Sequence, residues 1–482
     1  MSRKYITVIG LEVHVQLLTK SKCFCACSTL FGQKANSQTC PVCLGFPGSL
    51  PVLNEMALAF ALKAALALHC EVSPYIKFDR KHYFYPDLPK NFQISQFDLP
   101  VARQGWLVIS DKAAEKKIRI KRAHLEEDAG KLIHEEAGAR SFVDFNRCGT
   151  PLLEIVSEPD LNSPDEAYTY LTLLKAILEY LEVSDCNMEE GSLRCDANVS
   201  LMEEGAPTLG EKVELKNMNS FKGVKMALEY EVARQSELLD SGEKVAQETR
   251  LWNAEKNISL AMRSKEQAHD YRYFPEPDLV PFILDEAYIG KIRHSIPELP
   301  QEKARRFIKE YQIPEYDAAV LTGDKYLAGY FEQCAKLYPK PKVISNWMMT
   351  ELLAELNSRS LSVRELKLTP EDFVGLLKLL DEAVITGKVA KAIFPEMVET
   401  NKAAAEIVKE KGLVQISDTG EIEKIVIEVI KQNPKPVNDY KNGTESALTF
   451  LVGQIMKRSR GKANPQIANR LLKEKLERGE NA

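Results

Sequence analysis

The sequence predicts an α+β protein: a large mixed or antiparallel-sheet cradle domain over residues 1–295, an all-α domain over 296–410, and a small α-helical tail domain over 411–482. Three observations predict it. Before Ile296, several stretches alternate apolar and polar residues with period two, the pattern of strands with one buried face. From Ile296 the alternation vanishes, and short helical patterns are punctuated by Pro297, Pro300, Pro314, Thr369-Pro370 and Pro395. A chain of 482 residues also exceeds what one hydrophobic core sustains.

The first strand organises the rest. In Ile9-Gly10-Leu11-Glu12-Val13-His14-Val15-Gln16-Leu17 the apolar residues point one way, while Glu12, His14 and Gln16 point the other. Glu12 and His14, two residues apart on a rigid element, are potential metal ligands. Taken alone, the stretch reads equally as a half-buried strand with a solvated polar face.

Cys23-Phe24-Cys25-Ala26-Cys27 follows, and after a gap comes the knuckle Cys40-Pro41-Val42-Cys43. Two close pairs of thiols at this spacing suit tetrahedral Zn²⁺ with sulfur ligands, in a structural site. The loop between them lacks a long apolar run and needs a cross-link for order. Five cysteines compete for four places; Cys25, Cys27, Cys40 and Cys43 are the chosen set and Cys23 the spare. Buried or free thiols, or a redox pair, are the alternative. The apolar run Leu53 to Cys70, interrupted by Asn54, Glu55 and Lys63, reads as a buried core helix.

Asp79-Arg80-Lys81-His82-Tyr83-Phe84-Tyr85-Pro86-Asp87 sets rings beside cations, a combination that stacks on bases or on adenine. An irregular core loop with bonded tyrosine hydroxyls is the alternative. Ile118 to Glu126 alternates again; Ile118, Ile120, Arg122, His124 and Glu126 are assigned one face, and Lys121, Ala123, Leu125 and Glu127 the other. It ends in Glu126-Glu127-Asp128, whose mutual repulsion calls for divalent cations or basic partners.

Thr150 to Asp160 reads as a short buried strand. Its Glu154, flanked by Leu153 and Ile155, needs an ion or a cation as partner. Ser163-Pro164-Asp165-Glu166 opens a helix to about Leu181, with a cap, a proline at the first helical position and acids in the first turn. In Ser192 to Leu201, Arg194, Asp196 and Asn198 share one face. Val213 to Phe221 carries Glu214 and Lys216 together. A helix from about Lys222 to Asp240 closes at Gly242, and a hairpin is expected over Thr249 to Met262. Asp270 to Leu279 faintly echoes the aromatic run near Tyr83. The repetition of polar faces, not any one strand, implies a concave polar floor.

At the far end, Lys457 to Arg478 holds eight Lys or Arg against two Glu, with Asn464-Pro465 starting a final helix. In a chain of net charge −5 this local basic density suits a phosphate backbone, or else a solvated helix face.

No G-x-x-x-x-G-K-[ST] loop, no G-x-G-x-x-G after a strand and no G-x-S-x-G occurs, so any nucleotide sits in a non-standard cradle. Met1-Ser2-Arg3-Lys4 runs straight into a strand and no stretch reaches the ~20 apolar residues of a membrane span. A cytoplasmic protein is expected. A floor of carboxylates with one histidine and nearby Arg and Lys fits Mg²⁺-assisted phosphoryl transfer.

Taken together, Gly-Leu-Glu-Val-His at 10–14, the Cys-x-Cys and Cys-Pro-Val-Cys pairs and Tyr83-Phe84-Tyr85-Pro86-Asp87 closely resemble the B-subunit family of the glutamine-dependent aspartyl/glutamyl-tRNA amidotransferases. So do His124 to Lys131, Gly191 to Asn198 and Asp270 to Asp278. The resemblance spans essentially the whole chain. Cys23 stands where many members have an apolar residue, in keeping with its being the spare.

The resemblance implies that ATP phosphorylates the side-chain carboxylate of mischarged Glu-tRNA(Gln) or Asp-tRNA(Asn). Ammonia, tunnelled from a separate amidase (A) subunit that hydrolyses glutamine, then displaces phosphate. A small C subunit straps the two together. It further implies Glu12, His14, Glu126 or Glu127, and Glu154 as Mg²⁺ ligands. Arg194, Asp196, Asn198 and Lys216 become phosphate or acyl contacts, and Tyr83 and Lys90 the ammonia entrance. The basic tail would touch the tRNA body and the cradle its acceptor end. The rival is a zinc-stabilised RNA-binding scaffold whose partner does the chemistry. Carboxylates repel RNA phosphates unless they hold cations, which argues against it.

Overall fold

The computed structural model describes residues 5–111, 114–134, 140–262, 271–413, 419–459 and 463–477. Asp270, Arg460, Lys462 and Arg478, which belong to the motifs above, lie outside them. Contacts divide the chain into two compact units, Met1–Pro300 and Gln301–Ala482.

In the first unit, among the described residues, nine strands form one sheet. Their spatial order is Ile258–Ala261, Glu248–Asn253, Val213–Lys216, Leu193–Glu203, Tyr5–Gln16, Pro151–Ser157, Ala114–Glu127, Ala102–Asp111 and Glu71–Val72. Neighbours are antiparallel except Val213–Lys216 beside Glu248–Asn253, so the sheet is mixed. Tyr5–Gln16 is the central strand. Its alternation matches its burial: Ile9, Leu11, Val13, Val15 and Leu17 enter the core, while Glu12, His14 and Gln16 stay partly open on the other face.

Three helices cover the apolar face. Asn54 caps Glu55–Ala67, its Oδ1 accepting from the backbone N–H of Met56 and Ala57. Ser163 caps Pro164–Tyr180 and Ser220 caps Phe221–Asp240. Leu62, Tyr170, Leu174, Val224 and Leu228 from these helices share one core with the strands. At about 25 cal/mol per Å², such burial is the main stabilising term, and it leaves only the far face free for polar work.

The strand Ala114–Glu127 departs from the sequence assignment. Ile118 and Ile120 are buried, and so are Ala123 and Leu125, which uninterrupted alternation puts on the opposite face. The reason is a β-bulge: Val156 pairs with Arg122 but Ser157 pairs with Ile120, leaving Lys121 unmatched. One extra residue resets the alternation, so both apolar pairs face the core, and Arg122, His124 and Glu126 face away from it.

The two aromatic runs, which in the sequence only faintly echo each other, pair directly. Arg272–Pro275 lies antiparallel to Asp79–His82, and Phe92–Ser95 completes a three-stranded sheet. Arg80 grips Glu276 through two hydrogen bonds of 2.8 and 2.9 Å, and Phe97 stacks on Tyr273 at 4.1 Å between ring centroids.

The second unit is helical among its described residues. Its apolar side chains gather in two clusters, one from Phe307 to Val408 and one from Ile422 to Leu476. Pro370, and Pro300 at the end of the first unit, stand at first helical positions. Pro395, read from sequence as punctuation, lies inside the helix Gly387–Thr400; a proline there costs one backbone hydrogen bond without ending the helix. Asn464 caps the last helix, Pro465–Glu477. Among the described residues no helix is long and apolar enough to cross a membrane.

Candidate active site and metal centres

The polar face of the sheet carries a row of four residues from four strands. Arg194 stands opposite His14, His14 opposite Glu154, and Glu154 opposite His124. Antiparallel register alone aligns them, since directly opposed side chains sit about 4.5–5.5 Å apart at Cβ. His14 Nε2 is 3.4 Å from Glu154 Oε2 and 3.5 Å from Glu12 Oε1. His124 Nε2 is 3.3 Å from Glu154 Oε2 and 3.3 Å from Glu126 Oε2. Arg122 approaches Glu154 at 3.7 Å.

Two ligand triads therefore share Glu154. Glu12, His14 and Glu154 form one; His124, Glu126 and Glu154 form the other. In each, the donor atoms lie within 4.8 Å of one another. Five side chains from three neighbouring strands converge, three offering oxygens and two offering imidazoles. That donor set fits a divalent cation such as Mg²⁺ through its oxygens, and the imidazoles add affinity for Mn²⁺.

The electrostatics agree with the geometry. Burial works against charge on Glu154, yet the neighbouring His124 and His14 hold its carboxyl well below the usual range. Burial likewise opposes a charged His124, but Glu154 and Glu126 bring its pKa up to about 9. His14 is also raised, burial being outweighed by its bond to Glu154. Glu12 moves up through burial and the nearby Glu154 charge. The Nδ1 of His124 is buried without a hydrogen-bond partner among the described residues.

The three acids that end one strand go to three different cationic partners. Glu126 joins His124 and accepts from Ser95 Oγ at 2.9 Å. Asp128 accepts from Arg194 at 2.9 Å and from Gln16 Nε2 at 2.7 Å. Glu127 accepts from Lys90 Nζ at 2.6 Å and from the Ile94 N–H at 2.9 Å. Successive side chains on a strand point to opposite faces. Hence Glu127, expected among the metal ligands, is not brought to the cluster; it faces a separate cavity.

That cavity of about 260 Å³ is lined by Lys22, Cys43, Arg80, Lys90, Glu127 and Glu276, among others. Tyr83, paired in the sequence reading with Lys90, lines a different hollow with His82, Phe84, Tyr271, Tyr273 and Phe274. The two expected entrance residues therefore do not meet. Sequence spacing could not reveal this, because Lys90 turns in to Glu127 while Tyr83 packs on Tyr271 at 5.7 Å.

Lys216 contacts Asp196 at 2.7 Å and Glu214 at 3.1 Å, beside Glu12. Asn198 lines a further hollow with Gly10 and Glu12, and its Oδ1 is buried without a partner among the described residues. Sequence reasoning does not select His124, Arg122, Ser95 or Lys81. Burial opposes the charge on the Lys81 ammonium, but Glu126 and Glu154 raise its pKa well above the usual lysine range. The signal for His124 and Arg122 is present in the sequence: both share a face with Glu126.

Cys25, Cys27, Cys40 and Cys43 converge, their sulfurs within 4.8 Å of one another, while Cys23 is buried in the hydrophobic core. The Cys40 N–H donates to Cys43 Sγ at 3.2 Å, and the Leu44 N–H to the Cys40 carbonyl, folding the knuckle around the sulfurs. Without metal, hydrogen bonding from the Cys25 thiol and the Cys40 N–H brings Cys43 down to about 4, and Cys25 rises correspondingly. Four sulfurs converging within 4.8 Å of one another make a donor set that fits Zn²⁺.

In the tail, Lys475 pairs with Glu423 at 2.7 Å and Arg458 with Glu428 at 2.7 Å, so part of its basic charge is already balanced. Lys457 and Lys473 are exposed.

Comparison with known proteins follows the same lines. Residues 7–290 match the family model of the GatB/GatE catalytic domain, and residues 329–476 that of the GatB domain. The chain is 56% identical over 473 residues to the B subunit of the aspartyl/glutamyl-tRNA(Asn/Gln) amidotransferase of Caldanaerobacter subterraneus, covering 98% of this chain and 99% of that one. It is 56% identical over 477 residues to the same-named protein of Carboxydothermus hydrogenoformans and 54% identical over 473 residues to that of Brevibacillus brevis, with 98% of this chain and 99% of the relative covered in each case. The chain belongs to the family of aspartyl/glutamyl-tRNA(Asn/Gln) amidotransferase B subunits.

Proposed function

We propose that this chain activates and amidates the side-chain carboxylate of Glu-tRNA(Gln) or Asp-tRNA(Asn), as the B subunit of a ligase complex. The convergence of His14, Glu12, His124, Glu126 and Glu154 on one face of the sheet carries the reading. A carboxylate is a poor acyl donor because its oxide is a poor leaving group. Its oxygen attacks the γ-phosphorus of ATP, ADP departs, and the carboxylate becomes an acyl phosphate. Ammonia then attacks the carbonyl carbon, phosphate leaves, and loss of a proton gives the amide. Glu12, Glu126 and Glu154 with His14 would hold Mg²⁺, which would supply charge neutralisation to the phosphoryl group.

The protein's part is positioning and charge. Arg122 and Arg194, at the two sides of the row, and Lys216 beside Glu12 offer cationic contacts to phosphoryl and carboxylate oxygens. Tyr83, Tyr271 and Tyr273 present ring faces to a purine. The Lys90–Glu127 cavity, on the other side of the same strand end, is a polar chamber where ammonia would enter. Partners are an amidase subunit that supplies ammonia and a small third subunit. Use of ATP and tRNA sets the work in the cytoplasm. Cys25, Cys27, Cys40 and Cys43 hold a structural Zn²⁺.

The test is ATP cleavage dependent on mischarged tRNA in the purified complex, with Glu154→Ala and His14→Ala variants. Cleavage should vanish while tRNA binding persists. Retained cleavage with lost tRNA binding would instead make the chain an RNA-binding scaffold.

A further inference from the structure

Lys22 is fully buried, at 0% exposure. A buried ammonium is costly unless a counter-charge accompanies it. Among the described residues, two groups lie within hydrogen-bond reach of its Nζ. They are Cys43 Sγ, at 3.6 Å, and the Phe145 carbonyl oxygen, at 3.2 Å. A carbonyl carries no net charge, so of these two groups the sulfur is the one that can carry the balancing charge; the Glu127 carboxylate, which lines the same cavity, is bonded to Lys90.

The placement is built from several sides. The Lys22 N–H donates to the Cys27 carbonyl at 2.9 Å, and the Cys23 N–H to the Gly149 carbonyl at 2.8 Å. Asn54, capping its helix, also donates to the Lys22 carbonyl. Gly149, at φ +88°, leaves the space the side chain crosses: a Cβ there would stand 3.3 Å from Lys22 Cδ and 3.4 Å from Cys43 Cβ. Cys43, which also accepts from the Cys40 N–H at 3.2 Å, is the least exposed of the four cysteines. Cys25, Cys27 and Cys40 are partly open to solvent, whereas Cys43 is buried.

We propose that Lys22 is the counter-ion of the four-cysteine metal site, donating a charge-assisted N–H···S hydrogen bond to the Cys43 thiolate. This rests on the reading of that site as zinc-binding. Four thiolates around a divalent ion leave an anionic cluster, and the ammonium offsets part of its charge at the one buried cysteine of the four. Lys22 is a positioning residue: it touches a metal ligand, and it lines the cavity that also holds Lys90 and Glu127.

The experiment uses the whole complex with Lys22→Met and Lys22→Arg. Zinc content, the rate of zinc transfer to a chromophoric chelator, and the sulfur-to-metal charge-transfer band after cobalt(II) substitution are measured. Lys22→Met should transfer zinc about 10-fold faster or more and move the band to lower energy, because an unbonded thiolate gives up an electron more readily. Lys22→Arg should stay close to the parent. Parent-like transfer and band in folded Lys22→Met overturn the inference. A parent complex that binds neither zinc nor cobalt overturns the zinc reading itself. If Lys22→Met does not fold alone, melting temperatures decide: Lys22→Met should raise that of a Cys43→Ser protein, where the ammonium has lost its partner. A further drop there overturns the inference.

Discussion

His14 and Glu154 stand opposite each other on adjacent antiparallel strands, with Nε2 and Oε2 3.4 Å apart, although 140 residues of chain separate them. The pair is flanked by Arg194 on one side and His124 on the other. A histidine between carboxylates on a rigid sheet is either a charge-compensated ion pair or a pre-formed metal ligand set. The first state is the second one protonated.

Exchange of a proton for a metal has a definite sign. His14 and His124 are both raised from their ordinary 6.5, His124 to about 9. In the metal-free protein their stabilising contribution is fully present below pH 6.5 and is lost as pH rises through about 9 for His124. A ligating imidazole must be neutral, so metal binding expels protons. Calorimetry of Mn²⁺ binding at pH 7 in buffers of different ionisation enthalpy should reveal proton release, and affinity should climb with pH. Buffer-independent heats would contradict this.

Glu154→Gln keeps the shape and removes the shared charge. Metal affinity should fall by about 10–100-fold or more, a loss typical even of outer-shell substitutions at metal sites. His124→Ala should weaken metal binding too, though sequence alone does not nominate it. Titration with Mn²⁺, read by its paramagnetic effect on water relaxation, measures both.

Glu127 provides the contrast. It is bound to Lys90 and the Ile94 N–H, away from the cluster. Glu127→Ala leaves a buried ammonium unpaired and should cost about 3–5 kcal/mol of stability, with Mn²⁺ affinity unchanged in the protein that remains folded. Lys90→Met in the same chain should return much of that stability. Loss of metal affinity on Glu127→Ala would mean that the strand turns its other face to the metal.

Cys40→Ser should lose about one equivalent of zinc by metal analysis and lower the melting temperature, because metal-ligand bonds tie the knuckle to the Cys25–Cys27 segment. Unchanged zinc would exclude the four-sulfur site.

In the tail, Lys457→Gln and Lys473→Gln remove exposed charge. Each should weaken tRNA binding uniformly and reduce the slope of log affinity against log salt by about 1. Substituting Lys475, already paired with Glu423, should destabilise the last helix instead.

Most of the elements were legible in the sequence because period-two and helical patterns are local properties. Tyr5–Gln16, Pro164–Tyr180 and the Cys40–Cys43 knuckle are of this kind. The Lys121 bulge was not legible. In Ile118 to Glu126 the adjacent polar pair Lys121-Arg122 breaks the apolar alternation, but such a pair does not by itself mark a bulge; pairing with Pro151–Ser157 exposes the extra residue. Lys90 and Tyr83 read as neighbours because they are close along the chain, but the intervening turn sends one to Glu127 and the other to Tyr271.

By itself, then, the sequence determined which residues share a face of each strand, which cysteines could form a sulfur set, and where sheet gives way to helix. Tertiary structure decided which faces meet: that His14, Glu154 and His124 form one row, that Glu126 and Glu127 serve different sides, and that Lys22 reaches Cys43. The physical reason is that side-chain direction follows from backbone periodicity within an element. Opposition across strands follows from register, bulges and packing, which residues far apart in the chain set together.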